Sequence, residues 1–455
     1  MASLHDTSGR NNAPYMATAL VPARMPPQGQ GKGWRWVRSN LAGSVPQVAL
    51  TLFGLWLVYM IVPPLLSFFI TDAIWTGENR TACLPPQEGV SVGACWPFIR
   101  AKFDQLIYGF YPADERWRVN IAYGLGVLLL LPLLVPRLPG KRLNLMLFFG
   151  VFPVIAFVLL TGGNLRLSAF LGDLSPGLGF WGDALVCAFI LLAAAVGFTA
   201  LRNGALAARV VARQLLVPVA VAALVLLAVD VDFGLVPVET RLWGGLLVTL
   251  VITLVGVSVS LPLGIVLALG RRSRLPLVRI SSVVFIEFWR GVPVITVLFF
   301  ATYMLPLFLP GDMSIDALLR ALVGVALFAS AYMAEVVRGG LQAIPKGQYE
   351  GAEALGLGQG LAMRLVVLPQ ALRVVIPGIA NTFIGLFKDT TLVLIVAIFD
   401  LLGAMRAAFT DPNWATPTTL FTGFGFAGLI YFAFSFGMSR YSMTLERHLN
   451  REQRT

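Results

Sequence analysis

The chain has 455 residues, of which 57% are hydrophobic and only 13% charged, with a mean hydropathy of +0.79 and a formal net charge of +11. That is too little polar surface to cover a soluble globule of this length, so the chain reads as an all-α integral membrane protein. The basic excess sits in short segments between apolar runs, with no basic stripe carrying interleaved aromatics, which excludes a nucleic-acid partner.

Residues 1–44 have no apolar signal core and carry Arg10, Arg24, Lys32, Arg35 and Arg38 against Asp6 alone, so they read as an uncleaved cytoplasmic tail. A helix needs about 20 mostly apolar residues to cross the hydrocarbon core. Runs of that kind fall at 47–70, 119–136, 143–162, 183–201, 214–229, 242–269, 280–308, 317–337, 372–398 and 420–439. Between the first two lies a hydrophilic loop, 71–118, rich in aromatics (Trp75, Trp96, Phe98, Phe103, Tyr108, Phe110, Tyr111, Trp117). It is too long for a simple connection and reads either as a docking surface or as a lid packed on its neighbours.

Of the 34 Lys and Arg residues, 23 fall in one alternate set of connections, eight in the other and three inside spans. By the positive-inside rule both termini are cytoplasmic and the number of spans is even. Loop 71–118 then faces the oxidising side, where a disulfide between Cys83 and Cys95 and a pair of free thiols are both compatible with the sequence. Cys187 lies in an apolar run and reads as a small core residue. The chain divides near residue 235 into an N-terminal transmembrane extension, 45–235, and a core, 236–440, followed by a cytoplasmic tail, 441–455.

Within the core, residues 347–369 form a polar, glycine-punctuated stretch between membrane-length runs. Its spacing of Glu350, Ala352, Gly356, Val366, Leu368 and Pro369 resembles the EAA loop of importer-type ABC permeases. Other segments agree. Trp243 to Leu250 resembles the opening span of the polar amino-acid importers, the histidine, glutamine, glutamate and arginine group. Glu287-Phe288-Trp289-Arg290-Gly291-Val292-Pro293 is similar to their ExxRGTP element, with Val292 where threonine is usual. Ala331 to Gly339 is similar to AYxAExxRG, and Asn381 with Phe387-Lys388-Asp389-Thr390-Thr391-Leu392 resembles the Asn and KDTSL region. Cys83, Gly93 to Trp96, Phe98-Ile99, Gly109 to Pro112 and Glu115 to Arg118 look like the long-loop subunit of general L-amino-acid importers.

The resemblance implies a type I ABC importer permease core of about five helices in the bacterial inner membrane. It also implies a second homologous permease, a cytoplasmic ATPase dimer, a periplasmic amino-acid-binding protein and an amino-acid substrate. No cofactor is expected on this chain, because ATP and magnesium would be used by the partner; no G-x-x-x-x-G-K-[ST] phosphate loop occurs, and the histidines are His5 and His448 alone. The rival is an ion-coupled secondary transporter.

The coupling loop spans 339–369, with Gly347, Glu350, Gly351, Ala352, Glu353, Ala354, Leu355, Gly356, Leu368 and Pro369 as its contact and shaping residues. Glu350 to Leu355 is expected to form one amphipathic turn, softened by Gly351. Gly356, Gly358 and Gly360 are expected to reverse the chain before a second short helix, Gln359 to Val367. Glu287 and Arg290, three apart, are expected to pair on one helical turn as a structural or gating ion pair in preference to substrate contact, and Glu335 with Arg338 to anchor the loop. Asn381, Lys388, Asp389 and Thr390 offer a cation, an anion and polar groups at membrane depth, either for the two ends of an amino acid or as a buried salt bridge that fixes packing.

Overall fold

The computed structural model describes residues 36–37, 40–85, 92–135, 138, 140–163, 233–308 and 315–451. The expected spans at 183–201 and 214–229, Cys187 and the tail to residue 35 lie outside the described residues.

The described residues up to Thr71 make one unit, built on α1, Val45–Leu66. Ser44 caps its start by accepting a hydrogen bond from the Gln47 amide at 3.4 Å. No residue of α1 is buried, as suits a helix bathed in lipid. Pro63 and Pro64 remove two donors near its end, and the ladder widens into a π turn, Ser67–Thr71.

Residues from Asp72 onward make the second unit. Its helices are α2, Trp96–Tyr108, and α3, Arg116–Leu134; then α4, Lys141–Met146, which passes through a π turn into α5, Phe152–Thr161. The core contributes α6, Gly245–Arg271; α7, Pro276–Gly291; α8, Val294–Phe299; α9, Leu305–Phe308; and α10, Ala317–Ala343. After them come α11, Lys346–Ala354; α12, Gln359–Ala362; α13, Leu368–Val374; α14, Ile376–Asp389; α15, Leu401–Ala408; and α16, Pro417–Arg451. Across both units, seven described helices are long and apolar enough to span a membrane, or eight if the bent pair that follows is one span.

That bent pair corrects the expectation of a single straight span over 280–308. Helices on either side of Val292-Pro293 meet at 100°. Pro293 has no amide hydrogen to continue the ladder, and it holds Val292 extended at φ −105, ψ 131, outside the helical region.

Packing around α6 depends on small residues, since lipid supplies no hydrophobic drive between helices. A methyl group at Gly264 would sit 2.7 Å from Met333 Cβ on α10, and one at Gly256 2.5 Å from Leu386 on α14. Within loop 71–118, α2 forms a packed lid. Phe98, Ile99 and Leu106 of α2 are buried with Leu401, Ala404, Met405 and Ala408 of α15. Cys83 and Cys95 form a disulfide with Cα atoms 5.7 Å apart. The Cys95 amide donates to Thr422 of α16 at 2.9 Å, and the Arg80 amide to the Asn413 carbonyl at 2.8 Å.

Arg118, fully buried at the start of α3, pairs with Glu115 at 2.7 Å and donates to the Val236 carbonyl at 2.8 Å. Tyr111 donates to the Leu160 carbonyl at 3.0 Å. The Arg118–Val236 bond ties the extension to the chain leading into α6.

Candidate functional site

Helix α11 begins at Lys346, one turn earlier than the sequence pattern suggests. Pro345, at φ −57, ψ 144, turns the chain and leaves its carbonyl free to accept from the Gln348 amide at 3.1 Å. Nine residues therefore form the helix instead of a single turn. Ala352 is buried beneath it, whereas Gly347, Glu350, Gly351, Glu353, Ala354 and Leu355 are exposed. Leu355 is 81% exposed, an apolar side chain with no cover on this chain.

The helix ends in a Schellman motif. Leu357 N donates to the Ala352 carbonyl at 3.1 Å and Gly356 N to the Glu353 carbonyl at 2.9 Å. Only Gly356, at φ +76, takes a left-handed conformation. Gly358 caps α12 at φ −60, and Gly360 is helical, so the reversal needs one glycine where three were expected.

A second correction concerns the helix that follows. From Gln359 the chain runs through a π turn, Met363–Val367, into α13 without a stop. Pro369 would clash with the carbonyl four residues back in a regular ladder, and the widened turn holds that residue, Leu365. The loop is thus a single short helix, α11, set against the start of a longer one. Gln370 on α13 braces it by donating to Gln348 at 2.9 Å.

Behind the loop lies a charged hub on Glu335, at 15% side-chain exposure. Arg338 approaches it at 2.7 Å, Arg271 at 3.1 Å and Arg290 at 3.5 Å. Glu287 faces Arg271 at 3.5 Å. The expected pairing of Glu287 with Arg290 on one turn is therefore replaced by two pairings between helices. Glu335 is the more enclosed carboxylate, against 61% exposure for Glu287, and gathers the guanidiniums because an unpaired charge there would cost more. The Glu335–Arg338 pair stands as spaced. Arg290 also lies over the Tyr332 ring at 5.7 Å.

Two further residues complete the region. Arg272 stacks over the Tyr349 ring at 5.6 Å and donates to its hydroxyl at 3.0 Å. That hydroxyl donates to the Leu341 carbonyl at 3.3 Å. In the sequence Arg271 and Arg272 read only as part of a basic cytoplasmic turn, and neither they nor Tyr349 carry a pairing that the sequence shows. Arg272 and Tyr349 are 77 positions apart, and no local spacing signals the contact.

On α14, Asn381 and Lys388 lie two turns apart on one exposed face, with Asp389 exposed beside them. Thr390 is buried and back-bonds to the Phe387 carbonyl at 2.8 Å, so the four residues do not converge on one point. The helix tightens into a 3₁₀ turn, Thr390–Val396, which ends on Ala397 at φ +59.

Beyond it Asp400, fully buried, caps α15 by accepting from Gly403 N at 2.8 Å and also accepts from the Tyr431 hydroxyl at 2.8 Å. Burial pushes its carboxyl above the usual range, against the lowering effect of those bonds. Among the described residues, no group of three or more His, Cys, Asp or Glu could hold a metal ion.

Comparison with known proteins places this geometry. Residues 260–449 match the family described as binding-protein-dependent transport system inner membrane component. The inner membrane amino-acid ABC transporter permease protein YhdY of Escherichia coli is 42% identical over 94% of this chain and 96% of its own length. The glutamate/glutamine/aspartate/asparagine transport system permease protein BztC of Rhodobacter capsulatus is 40% identical over 97% and 99%. A probable glutamine ABC transporter permease of Bacillus subtilis, GlnP, is 31% identical over 45% of this chain and 92% of itself. Long relatives thus share the extension, and short ones correspond to less than half of the chain. A crystal structure of an amino acid ABC transporter with histidines covers 45% of this chain and 92% of its own at 29% identity, with a TM-score of 0.41.

Proposed function

The chain belongs to the binding-protein-dependent inner-membrane permeases of amino-acid ABC transporters, and from that premise we propose that it forms one half of the pathway of an ATP-driven amino-acid importer. It pairs with a second permease, receives substrate from a periplasmic binding protein and is driven by two cytoplasmic ATPase subunits. ATP and magnesium act on those subunits.

The observation that carries this reading is α11. A nine-residue helix, locked at its end by a Schellman turn, presents Glu350, Glu353 and the uncovered Leu355 outward while Ala352 anchors it inward. Such a knob seats in a groove and moves with its host. The hub on Glu335 joins α6, α7 and α10 behind it, so movement of the knob tilts spans together. This arrangement has a purpose in a motor-driven permease and none in the ion-coupled alternative.

Exposed Asn381, Lys388 and Asp389 lie on the pathway face, where an ammonium and a carboxylate address the opposite charges of an amino acid; Thr390, buried, sets the helix break beside them. The full complex in vesicles, given external binding protein, internal ATP and a mixture of radiolabelled L-amino acids, is expected to accumulate label only with ATP. Accumulation driven by an ion gradient without the ATPase would overturn the reading. Lys388→Ala and Asp389→Ala are each expected to weaken uptake; normal uptake with unchanged apparent affinity in both would remove them from the pathway.

A further inference from the structure

Helix α11 is mechanically exposed. On one side it is joined to α10 through Ile344 and Pro345, and on the other it ends at the left-handed Gly356. The α10 ladder stops before Ile344, and the Schellman bonds close the end of α11 on itself without continuing its ladder into α12, so neither junction fixes the angle of the helix against the spans. A handle that swivels dissipates the push applied to it, so its lateral bonds decide how much motion reaches the spans.

Two side-chain contacts among the described residues brace this helix. Gln348 accepts from Gln370 on α13 at 2.9 Å, and Tyr349 makes the contact with Arg272. The second has the wider reach. The Tyr349 hydroxyl accepts from Arg272 at 3.0 Å and donates to the last turn of α10 at Leu341, 3.3 Å away, while its ring lies under the same guanidinium at 5.6 Å. Arg272 directly follows Arg271, the residue at the end of α6 that reaches Glu335 at 3.1 Å. One tyrosine therefore meets the coupling helix, the end of α10 and the end of α6, and its bond and its cation–π contact both hold the helix at one angle.

The geometry points to Arg272 and Tyr349 as a strut that fixes the angle of α11 against the α6–α10 pair, so that ATPase motion is delivered to the spans instead of being lost in the loop. Both are positioning residues. The assignment rests on the importer reading above. Neither Glu350 nor Leu355, the outward face of α11, takes part, so ATPase attachment is separable from transmission.

The test is the number of ATP molecules hydrolysed per amino acid imported. The full complex is purified and placed in vesicles with external binding protein and a mixture of radiolabelled L-amino acids. Tyr349→Phe keeps the ring and removes the hydroxyl; Arg272→Lys keeps a cation and a donor but loses the planar stack; Arg272→Ala removes both. Copurification of the ATPase with each variant reports attachment.

Tyr349→Phe and Arg272→Ala are expected to raise the ATP cost of each import by roughly three- to tenfold, consistent with loss of one charge-assisted bond, with the ATPase still bound. Arg272→Lys is expected to fall between them and the wild type. In the double variant the effects should not multiply, because both remove one contact. An unchanged ratio in Tyr349→Phe, the variant least able to perturb folding, would overturn the strut whatever the fate of Arg272→Ala. Wild-type complex that fails to import with ATP would instead sink the importer reading, so the two failures are distinguishable.

Discussion

The two ends of α6 are held in opposite ways. At its first turn, the Gly245 amide donates to the Phe399 carbonyl and the Leu401 amide to Thr249 Oγ1, both at 2.9 Å and both within buried structure that also contains Asp400. At its last turn, Arg271 and Arg272 are held by ion pairs and a stacked ring, and the acceptor Glu287 is 61% exposed. Buried backbone bonds are costly to break and admit one geometry. Partly exposed ionic contacts are individually weak and tolerate rearrangement. A span fixed at one end and adjustable at the other is suited to pivot.

The largest effect is expected at the fixed end. Replacing Cys83 and Cys95 by serine opens a loop of 12 residues' separation and should lower stability by about 3 kcal/mol, visible as an earlier thermal unfolding transition of the purified complex. An unchanged transition would mean that α2 does not brace this end. Asp400→Ala removes a helix cap and leaves the Tyr431 hydroxyl without its acceptor, for a loss of about 1–3 kcal/mol, while Asp400→Asn keeps an acceptor and should cost less. Equal losses in the two variants would contradict the capping role.

At the adjustable end stability should respond less and transport more. Gly356→Ala forces a side chain into the left-handed region at φ +76 and should cost about 1–2 kcal/mol locally, read as faster amide exchange across α11 with the spans unchanged. Glu335→Gln should shift the thermal transition by less than about 1 kcal/mol, yet reduce ATP-driven uptake strongly, because three guanidiniums lose their common partner. A large fall in stability with normal uptake would reverse the comparison.

The smallest effect is a pH dependence at the fixed end. Lys102 beside Asp411, with help from the Asn413 amide, holds the Asp411 carboxyl below its ordinary value. A depressed carboxylate contributes stability that is complete above its unfolded pKa of about 4 and is lost as pH falls through the lower folded value. Asp411→Asn should therefore lower stability slightly at neutral pH and flatten the loss below about pH 4; a parallel acid profile would contradict the pairing.

What the sequence discloses divides along the same line. Most of the described spans, the outward residues of the loop and the Glu335–Arg338 pair follow from local spacing, although the helices Ala317–Ala343 and Pro417–Arg451 run past the spans expected at 317–337 and 420–439, and the spans expected at 183–201 and 214–229 lie outside the described residues. What the sequence hides is tertiary. Nothing near Glu287 says that Arg271 will displace Arg290 as its partner. Nor does anything near Tyr349 point to Arg272, or near Asp400 to Tyr431. The bend at Pro293 is concealed by the apolar run on both sides, which satisfies a length criterion as well as a straight span would. The glycines of the loop look alike in sequence; only the backbone shows that Gly356 alone adopts positive φ.

The central claim is that α11 is gripped by a separate motor, and crosslinking tests it most directly. With Leu355→Cys in the full complex in native membranes, a crosslinker with one thiol-reactive and one amine-reactive end should join this chain to lysines of the ATPase subunit, with a yield that changes between ATP-bound and nucleotide-free states. Absence of any adduct in every nucleotide state, from a complex that still imports amino acids, would contradict the account.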